Sequence, residues 1–226
     1  MQKSIHHTSC AFFELATLWY RPIPEVLGLI KSHSVDPAFY NSKRGRIIIA
    51  PHHGSWELLN LWLADTGPLF SLYKPARSKT LDEFVISKRT RNNARLVPVN
   101  TAGLRNLLKG LKNGASCMIL PDQRPARNTA MTEAPFFNQL APTSLLIKNL
   151  ARKVDCDIYI AATTRHLAKG NYHLDIQRLD REKFLQDDLA SATYLNSSIE
   201  EFILPAVEQY QWPYRRFERN VYNALS

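Results

Sequence analysis

The chain has 226 residues, 45% hydrophobic and 22% charged, with a formal net charge of +9, which is enough apolar side chain for a sizeable α/β core and outside the range of disordered or low-complexity polypeptides. No apolar run approaches the ~18–20 residues of a membrane-spanning helix and Met1 to His7 lack the apolar stretch of a signal peptide, so any membrane contact is expected to be peripheral. Three cysteines (Cys10, Cys117, Cys156) with no CxxC spacing exclude a disulfide framework and a zinc cluster and fit a reducing compartment.

Residues 8–32 carry apolar positions at helical spacing (Phe12, Leu15, Ala16, Trp19, then Val26, Leu27, Leu29, Ile30), and Pro22 and Pro24 divide them into two short helices. This segment, 1–32, is amphipathic enough to lie on a membrane surface or to pack on the core. Ile47 to Ala50 is the first strand, followed by a helix through Leu63 that Ser55 is placed to cap and Thr66-Gly67-Pro68 stops. Further strands are expected at Leu69–Tyr73, Arg95–Val99 and Ser116–Leu120, alternating with helices over Leu81–Asn92 and Thr101–Lys112. Arg124 to Glu133 reads as a polar loop, Ala134 to Asn138 as an apolar knot, and a helix starts at Thr143 or Ser144 and runs to Lys153. Asp157–Thr164 and Tyr172–Leu179 read as strands of a hairpin, and Ser197–Gln209 as a last helix interrupted by Pro205. Strands alternating with helices predict one α/β domain over residues 1–226, a mostly parallel central sheet flanked by helices, with chemistry at the C-terminal ends of the strands.

Two candidates stand at such ends. His52 directly follows the strand Ile47–Ala50, and Asp122 follows Ser116–Leu120. Imidazole titrates near neutral pH and can accept a proton from a hydroxyl, which is otherwise a poor nucleophile. Such a base needs a partner on its other ring nitrogen. Glu57, one turn into the next helix, is expected to fold back and supply it. His53 and Glu57 stand at i, i+4, a fragment of a metal site without a recognisable third ligand, so no metal is assigned. Gly54 and Ser55 bring backbone N–H groups to a helix N-terminus, which suits an oxyanion or plain capping. Asp122 and Gln123 are placed to hydrogen-bond substrate or to hold the site loop. Lys74, Arg89 and Arg91 read either as helix-end and solvating cations or as phosphate contacts, and Arg124 and Arg127 as loop charges or a headgroup clamp.

In order along the chain, His52-x4-Glu57, Ser71-Leu72-Tyr73-Lys74-Pro75, Arg89-Thr90-Arg91, Leu120-Pro121-Asp122-Gln123, Ala134-Pro135-Phe136-Phe137 and Glu208-Gln209-Tyr210-Gln211-Trp212 with Arg215-Arg216-Phe217 resemble the bacterial lipid A biosynthesis (lauroyl/myristoyl) acyltransferases, a branch of the lysophospholipid acyltransferase superfamily. The pattern has Asn138 where the family usually has glycine after Phe-Phe. The resemblance implies transfer of a fatty acyl chain from a thioester on acyl carrier protein to a hydroxyl of a lipid A precursor. It also implies a His52/Glu57 dyad, no cofactor, and a peripheral position on the cytoplasmic face of the bacterial inner membrane. The net charge of +9 then serves an anionic membrane surface and an acidic carrier protein. Two other readings follow from the same residues: acylation of a lysophospholipid or an amino-acid lipid, and a non-catalytic lipid-binding protein that kept the fold. No aromatic-basic module for nucleic acid is present.

Overall fold

Ile47 to Ala50 are all fully buried, and their side chains alternate between two cores, as a strand with helices on both faces requires. Ile47 and Ile49 pack with Leu107, Leu111, Ile158, Leu195 and Ile199 on one face, and Ile48 and Ala50 with Leu59, Leu63, Met118 and Tyr159 on the other. The computed structural model describes residues 2–76, 78–126, 129–217 and Tyr222; Arg127 lies outside them. The elements in order are α1 (Gln2–Tyr20), α2 (Ile23–Leu27), β1 (Ile30–Val35), α3 (Ala38–Asn41), β2 (Gly45–Ile49), α4 (Trp56–Thr66), β3 (Leu69–Tyr73), α5 (Lys79–Arg89) and β4 (Ala94–Pro98). There follow α6 (Thr101–Lys112), β5 (Ser116–Ile119), β6 (Met131–Phe136), β7 (Gln139–Ser144), α7 (Leu146–Ala151), β8 (Cys156–His166), β9 (Asn171–Leu179), α8 (Arg181–Phe184), α9 (Asp188–Ile203) and a 3-10 turn (Leu204–Gln209).

Seven strands form one sheet in the order β1-β9-β8-β2-β5-β3-β4. All neighbours pair parallel except β8 and β9, which form an antiparallel hairpin. The fold is the mostly parallel α/β type expected from the alternation of elements. The helix Thr101–Lys112 has the predicted bounds, because Asn100 accepts a capping bond from the Gly103 N–H (2.8 Å) and Asn113-Gly114 ends it.

Four local expectations are corrected. The N-terminal segment divides into two helices at Pro22 and Pro24 as expected, but the first, α1, is long and only α2 is short. Ile30–Val35 is an edge strand, held by parallel pairing to β9. The apolar knot is an antiparallel hairpin, β6–β7, whose two-residue turn places Phe137 (φ 47°) and Asn138 (φ 59°) in the left-handed region, which asparagine tolerates. The last helix begins at Asp188, capped by Asp187 through the Ala190 N–H (2.9 Å), and Pro205 falls in the 3-10 turn after it.

Among the described residues no helix is long and apolar enough to cross a membrane. Cys117 is buried in the core as expected, and burial pushes its thiol far above the ordinary range.

Candidate active site

β2 and β5 are adjacent parallel strands with Ile49 opposite Ile119. Three residues beyond each stand His52 and Asp122, so equal overhangs bring the two side chains together at the C-terminal edge of the sheet. His52 Nδ1 lies 2.7 Å from Asp122 Oδ1, and the His52 backbone N–H donates to Asp122 Oδ2 at 2.8 Å. Asp122 is 3% exposed. Burial alone would raise its carboxyl, but the His52 charge and the hydrogen bonds from His52 outweigh that and hold it below the usual carboxylate range. An ionised carboxylate only accepts hydrogen bonds, so Nδ1 carries the ring proton and the Nε2 lone pair is the available base. Trp56 packs edge-on against the ring, 5.3 Å between centroids, as an apolar wall.

Glu57 does not take the position on His52 that the four-residue spacing suggested. Its Oε1 accepts from Arg89 Nε at 2.8 Å and from Arg89 Nη2, and its Oε2 accepts from Trp19 Nε1 at 3.4 Å. The physical reason is direction: Glu57 points along the first turn of α4 toward α5 and α1, while Asp122 reaches the imidazole across one strand spacing. Glu57 therefore ties three helices together beside the site and neutralises Arg89.

Other expected residues separate in the same way. Arg91 donates to the carbonyls of Leu18 and Arg21, both at 2.6 Å, and so closes the C-terminal end of α1 rather than facing the site. Lys74 is exposed past the end of β3. Gln123 Nε2 donates to Gln211 Oε1 at 3.4 Å. Arg124 is held by its backbone N–H to the Tyr214 hydroxyl (3.0 Å) and by Nη1 to the Phe217 carbonyl (3.4 Å). Ser55 occupies the N-cap position of α4 without a side-chain cap bond, its Oγ buried. The Gly54 and Ser55 N–H groups, read as oxyanion donors, are already given to the Gln209 carbonyl (3.3 Å) and the Thr163 carbonyl (2.8 Å).

That second bond explains the glycine. Gly54 has φ 59°, and a Cβ there would stand 2.0 Å from the Thr163 carbonyl oxygen, so the loop lies against β8 only without a side chain. His53 turns inward, 1% exposed, with Nδ1 unpartnered among the described residues. Burial first, then the neighbouring Arg165, lowers its imidazole to about 4, which keeps it neutral. Among the described residues no group of three or more His, Cys, Asp or Glu stands together as a metal site.

Sequence reasoning missed the clasp over this loop. The Gln211 N–H donates to the His52 carbonyl (2.9 Å), His53 forms a single antiparallel bridge with Tyr210, and Gln209 bonds both backbone groups of Arg165 (2.8 and 2.9 Å). Arg165, buried, pairs through its guanidinium with Glu14 of α1. The only sequence signal for any of this was the Gln-Tyr-x-Trp pattern, which says nothing about where the segment docks.

The family model described as bacterial lipid A biosynthesis acyltransferase matches residues 1–219. The chain is 25% identical over 224 residues to the lipid A biosynthesis palmitoleoyltransferase of Escherichia coli (strain K12), covering 92% of this chain and 68% of that protein. It is 23% identical over 222 residues to the lipid A biosynthesis lauroyltransferase of the same strain, covering 96% and 71%. A lipid A biosynthesis acyltransferase of Haemophilus influenzae (strain ATCC 51907 / DSM 11121 / KW20 / Rd) is 22% identical over 220 residues, covering 96% and 70%.

Proposed function

The chain belongs to the bacterial lipid A biosynthesis acyltransferase family, and from that premise we propose that it moves a fatty acyl group from a thioester, carried on acyl carrier protein, to a hydroxyl of a lipid A precursor. That it is an acyltransferase follows from the family and its relatives; donor, acceptor and residue roles are our reading. The observation that carries it is the His52–Asp122 pair at the carboxyl edge of the sheet. His52 Nε2 removes the acceptor hydroxyl proton as the oxygen attacks the thioester carbonyl. Asp122 holds the ring tautomer and balances the imidazolium that forms. The tetrahedral intermediate then collapses, the C–S bond breaks, and the imidazolium returns the proton to the departing thiolate, leaving an ester and a free thiol. The step needs no redox partner and no metal. Glu57 serves by orienting Arg89 beside this centre; Arg89, Lys74, Gln123 and Arg124 are the groups we assign to contacts with the acceptor's phosphates and polar atoms.

A lipid acceptor places the site at a bilayer, and α1 is built for that contact. It turns Ile5, Phe12, Phe13 and Tyr20 to solvent, with Phe13 82% exposed. Its carboxylate, Glu14, faces inward to Arg165, Arg21 directly follows Tyr20, and Lys88 lies 3.8 Å from the Tyr20 ring centre. Aromatic rings flanked by cations suit an anionic membrane surface, the cytoplasmic face of the inner membrane in this reading.

The test is transfer from acyl-acyl carrier protein to a purified lipid A precursor, with His52→Ala alongside. Product with the wild type and a loss of ~10²–10⁴-fold in kcat for the variant supports the reading. Activity on lysophospholipid instead overturns the acceptor, and vesicle binding without transfer to either acceptor favours a non-catalytic lipid-binding protein.

A further inference from the structure

One face of the molecule carries charge that nothing in the chain answers. Residues 84–121 contain seven lysines and arginines and no aspartate or glutamate. Arg89 and Arg91, early in this stretch, are engaged by Glu57 and by the carbonyls that end α1. Arg95 of β4 and Arg105, Lys109 and Lys112 of α6 are exposed, and none of the four has an ion pair or a hydrogen bond among the described residues. α6 turns Leu107 and Leu111 into the core, and Gly110 has no room for a side chain against the Phe70 ring, so the helix lies directly on the sheet. Arg95 reaches over the same ring, 5.9 Å from its centre, which joins the strand's cation to those of the helix. Arg105, Lys109 and Lys112 stand at i, i+4 and i+7, a single stripe about 10 Å long. Like charges at that spacing weaken a helix, and a merely solvated face mixes both signs. No large apolar side chain of α6 is exposed, in contrast to α1.

We propose that the outer face of α6, extended by Arg95, is the docking surface for the acidic face of the carrier protein that brings the acyl thioester. The proposal rests on the carrier-protein donor of the proposed function and adds where that partner sits. Charge selects the partner. An unbroken row of cations without apolar side chains fits a folded acidic surface, whereas a helix lying in a bilayer interface mixes cations with aromatic and aliphatic side chains, as α1 does. Position selects it as well. Asn100 caps α6 just past Pro98, the end of β4, so the helix starts at the same edge of the sheet as His52. β4 lies two strand spacings, about 10 Å, from β5, whose extension carries Asp122. A partner seated on the first turns of α6 therefore holds its thioester arm beside the edge where the acceptor hydroxyl loses its proton. α6 covers the sheet face of Ile47 and Ile49, while α1 packs with α4, which covers the opposite face. Carrier and bilayer do not compete for one surface.

Arg105→Glu, Lys109→Glu and Lys112→Glu together reverse the stripe at exposed positions. Binding is read first, by fluorescence anisotropy of labelled acyl carrier protein titrated with the full chain. The wild type is expected to bind, with Kd rising about tenfold or more between about 50 and about 500 mM NaCl as the charges are screened. The triple variant is expected to bind about tenfold or more weakly at the lower salt. In the transferase assay its KM for acyl-acyl carrier protein rises by a similar factor, while kcat/KM with the same acyl group on pantetheine, which lacks the protein, stays within about twofold. Turnover of that small donor also reports that the variant is folded. Arg105→Ser with Lys109→Ser, which removes charge without adding any, gives a smaller loss in the same direction. Carrier binding undiminished in the folded variants overturns the proposal. Carrier binding kept while sedimentation with anionic vesicles is lost overturns it too, and gives the stripe to the membrane. A wild type that binds no carrier protein also overturns it; if that wild type still transfers from acyl-pantetheine and His52→Ala does not, the base assignment stands and only the carrier is removed.

Discussion

Asp122→Asn isolates the interaction on which the mechanism depends. The amide is isosteric, and its oxygen can still accept from the His52 backbone N–H, now 2.8 Å from Oδ2, so the loop is expected to keep its place. The amide nitrogen then faces Nδ1, where 2.7 Å separates the partners today. Two donors cannot share that line, so the ring adopts the other tautomer, its proton moves to Nε2, and the base loses its lone pair. The lost charge can be scaled: opposite unit charges about 4 Å apart at an effective dielectric of about 20 interact by about 4 kcal/mol. At 1.36 kcal/mol per decade that is roughly a thousandfold in kcat. KM is expected to stay within about threefold, because Asp122 is buried behind the ring. The assay is steady-state transfer from acyl-acyl carrier protein, with Glu57→Gln measured beside it. Glu57→Gln loosens Arg89 and Trp19 and should act mainly through KM. If Asp122→Asn keeps more than about a tenth of wild-type kcat while Glu57→Gln collapses, the His52–Asp122 assignment is wrong and Glu57 is the partner of the base.

Glu14→Ala leaves buried Arg165 without its carboxylate and should cost ~3–5 kcal/mol in urea unfolding, with Glu14→Gln costing less; a change under about 1 kcal/mol would show that Arg165 finds another partner. Acid should weaken the fold through His53: its folded imidazole sits at about 4 against 6.5 when unfolded, so below pH 6.5 the unfolded chain binds a proton the folded one refuses. Stability is then flat above that pH and falls by up to about 3 kcal/mol as pH drops to 4. His53→Asn should flatten that slope in denaturant titrations at stepped pH, and an unaltered slope would assign it elsewhere. Phe12→Ser with Phe13→Ser should weaken binding to anionic vesicles at least tenfold in a sedimentation assay while soluble-substrate turnover is kept; equal binding would clear α1 of membrane contact.

What could be read in advance was what local sequence determines. The buried run at Ile47–Ala50, the strands β3, β4 and β5, and the Asn100-capped helix α6 each carry their own pattern of apolar residues and stop signals. β1 escaped because Lys31, Ser32, His33 and Ser34 are exposed and polar; only the neighbouring β9 makes that stretch a strand. β6 and β7 contain Pro135 and Pro142, which argue against strands unless both lie in a two-stranded ribbon at the edge, as they do. In the site, His52 and Asp122 were each recognisable at a strand end, but their partnership depends on β2 and β5 being neighbours although two strands separate them in the chain. Glu57 was the more tempting partner because it is close in sequence, and closeness in sequence does not fix which way a helical side chain points. Arg165, Gln209 and Tyr210 are polar or aromatic residues whose burial follows from tertiary docking alone.

The clasp also gives the site a place in time. Ser4 and Tyr210, joined by a hydrogen bond, are 206 positions apart. At a synthesis rate of about 5–20 residues per second, roughly 10–40 s pass between the emergence of one and of the other. β5 emerges partway through that interval, and from then on β2 and β5 can pair and Asp122 can reach His52, but the Gln209–Gln211 side of the clasp is still missing. The clasp over the His52 loop is therefore the last part of the site to be made, and a chain ending before Gln209 lacks the hydrogen bonds that join this segment to His52, Gly54 and Arg165.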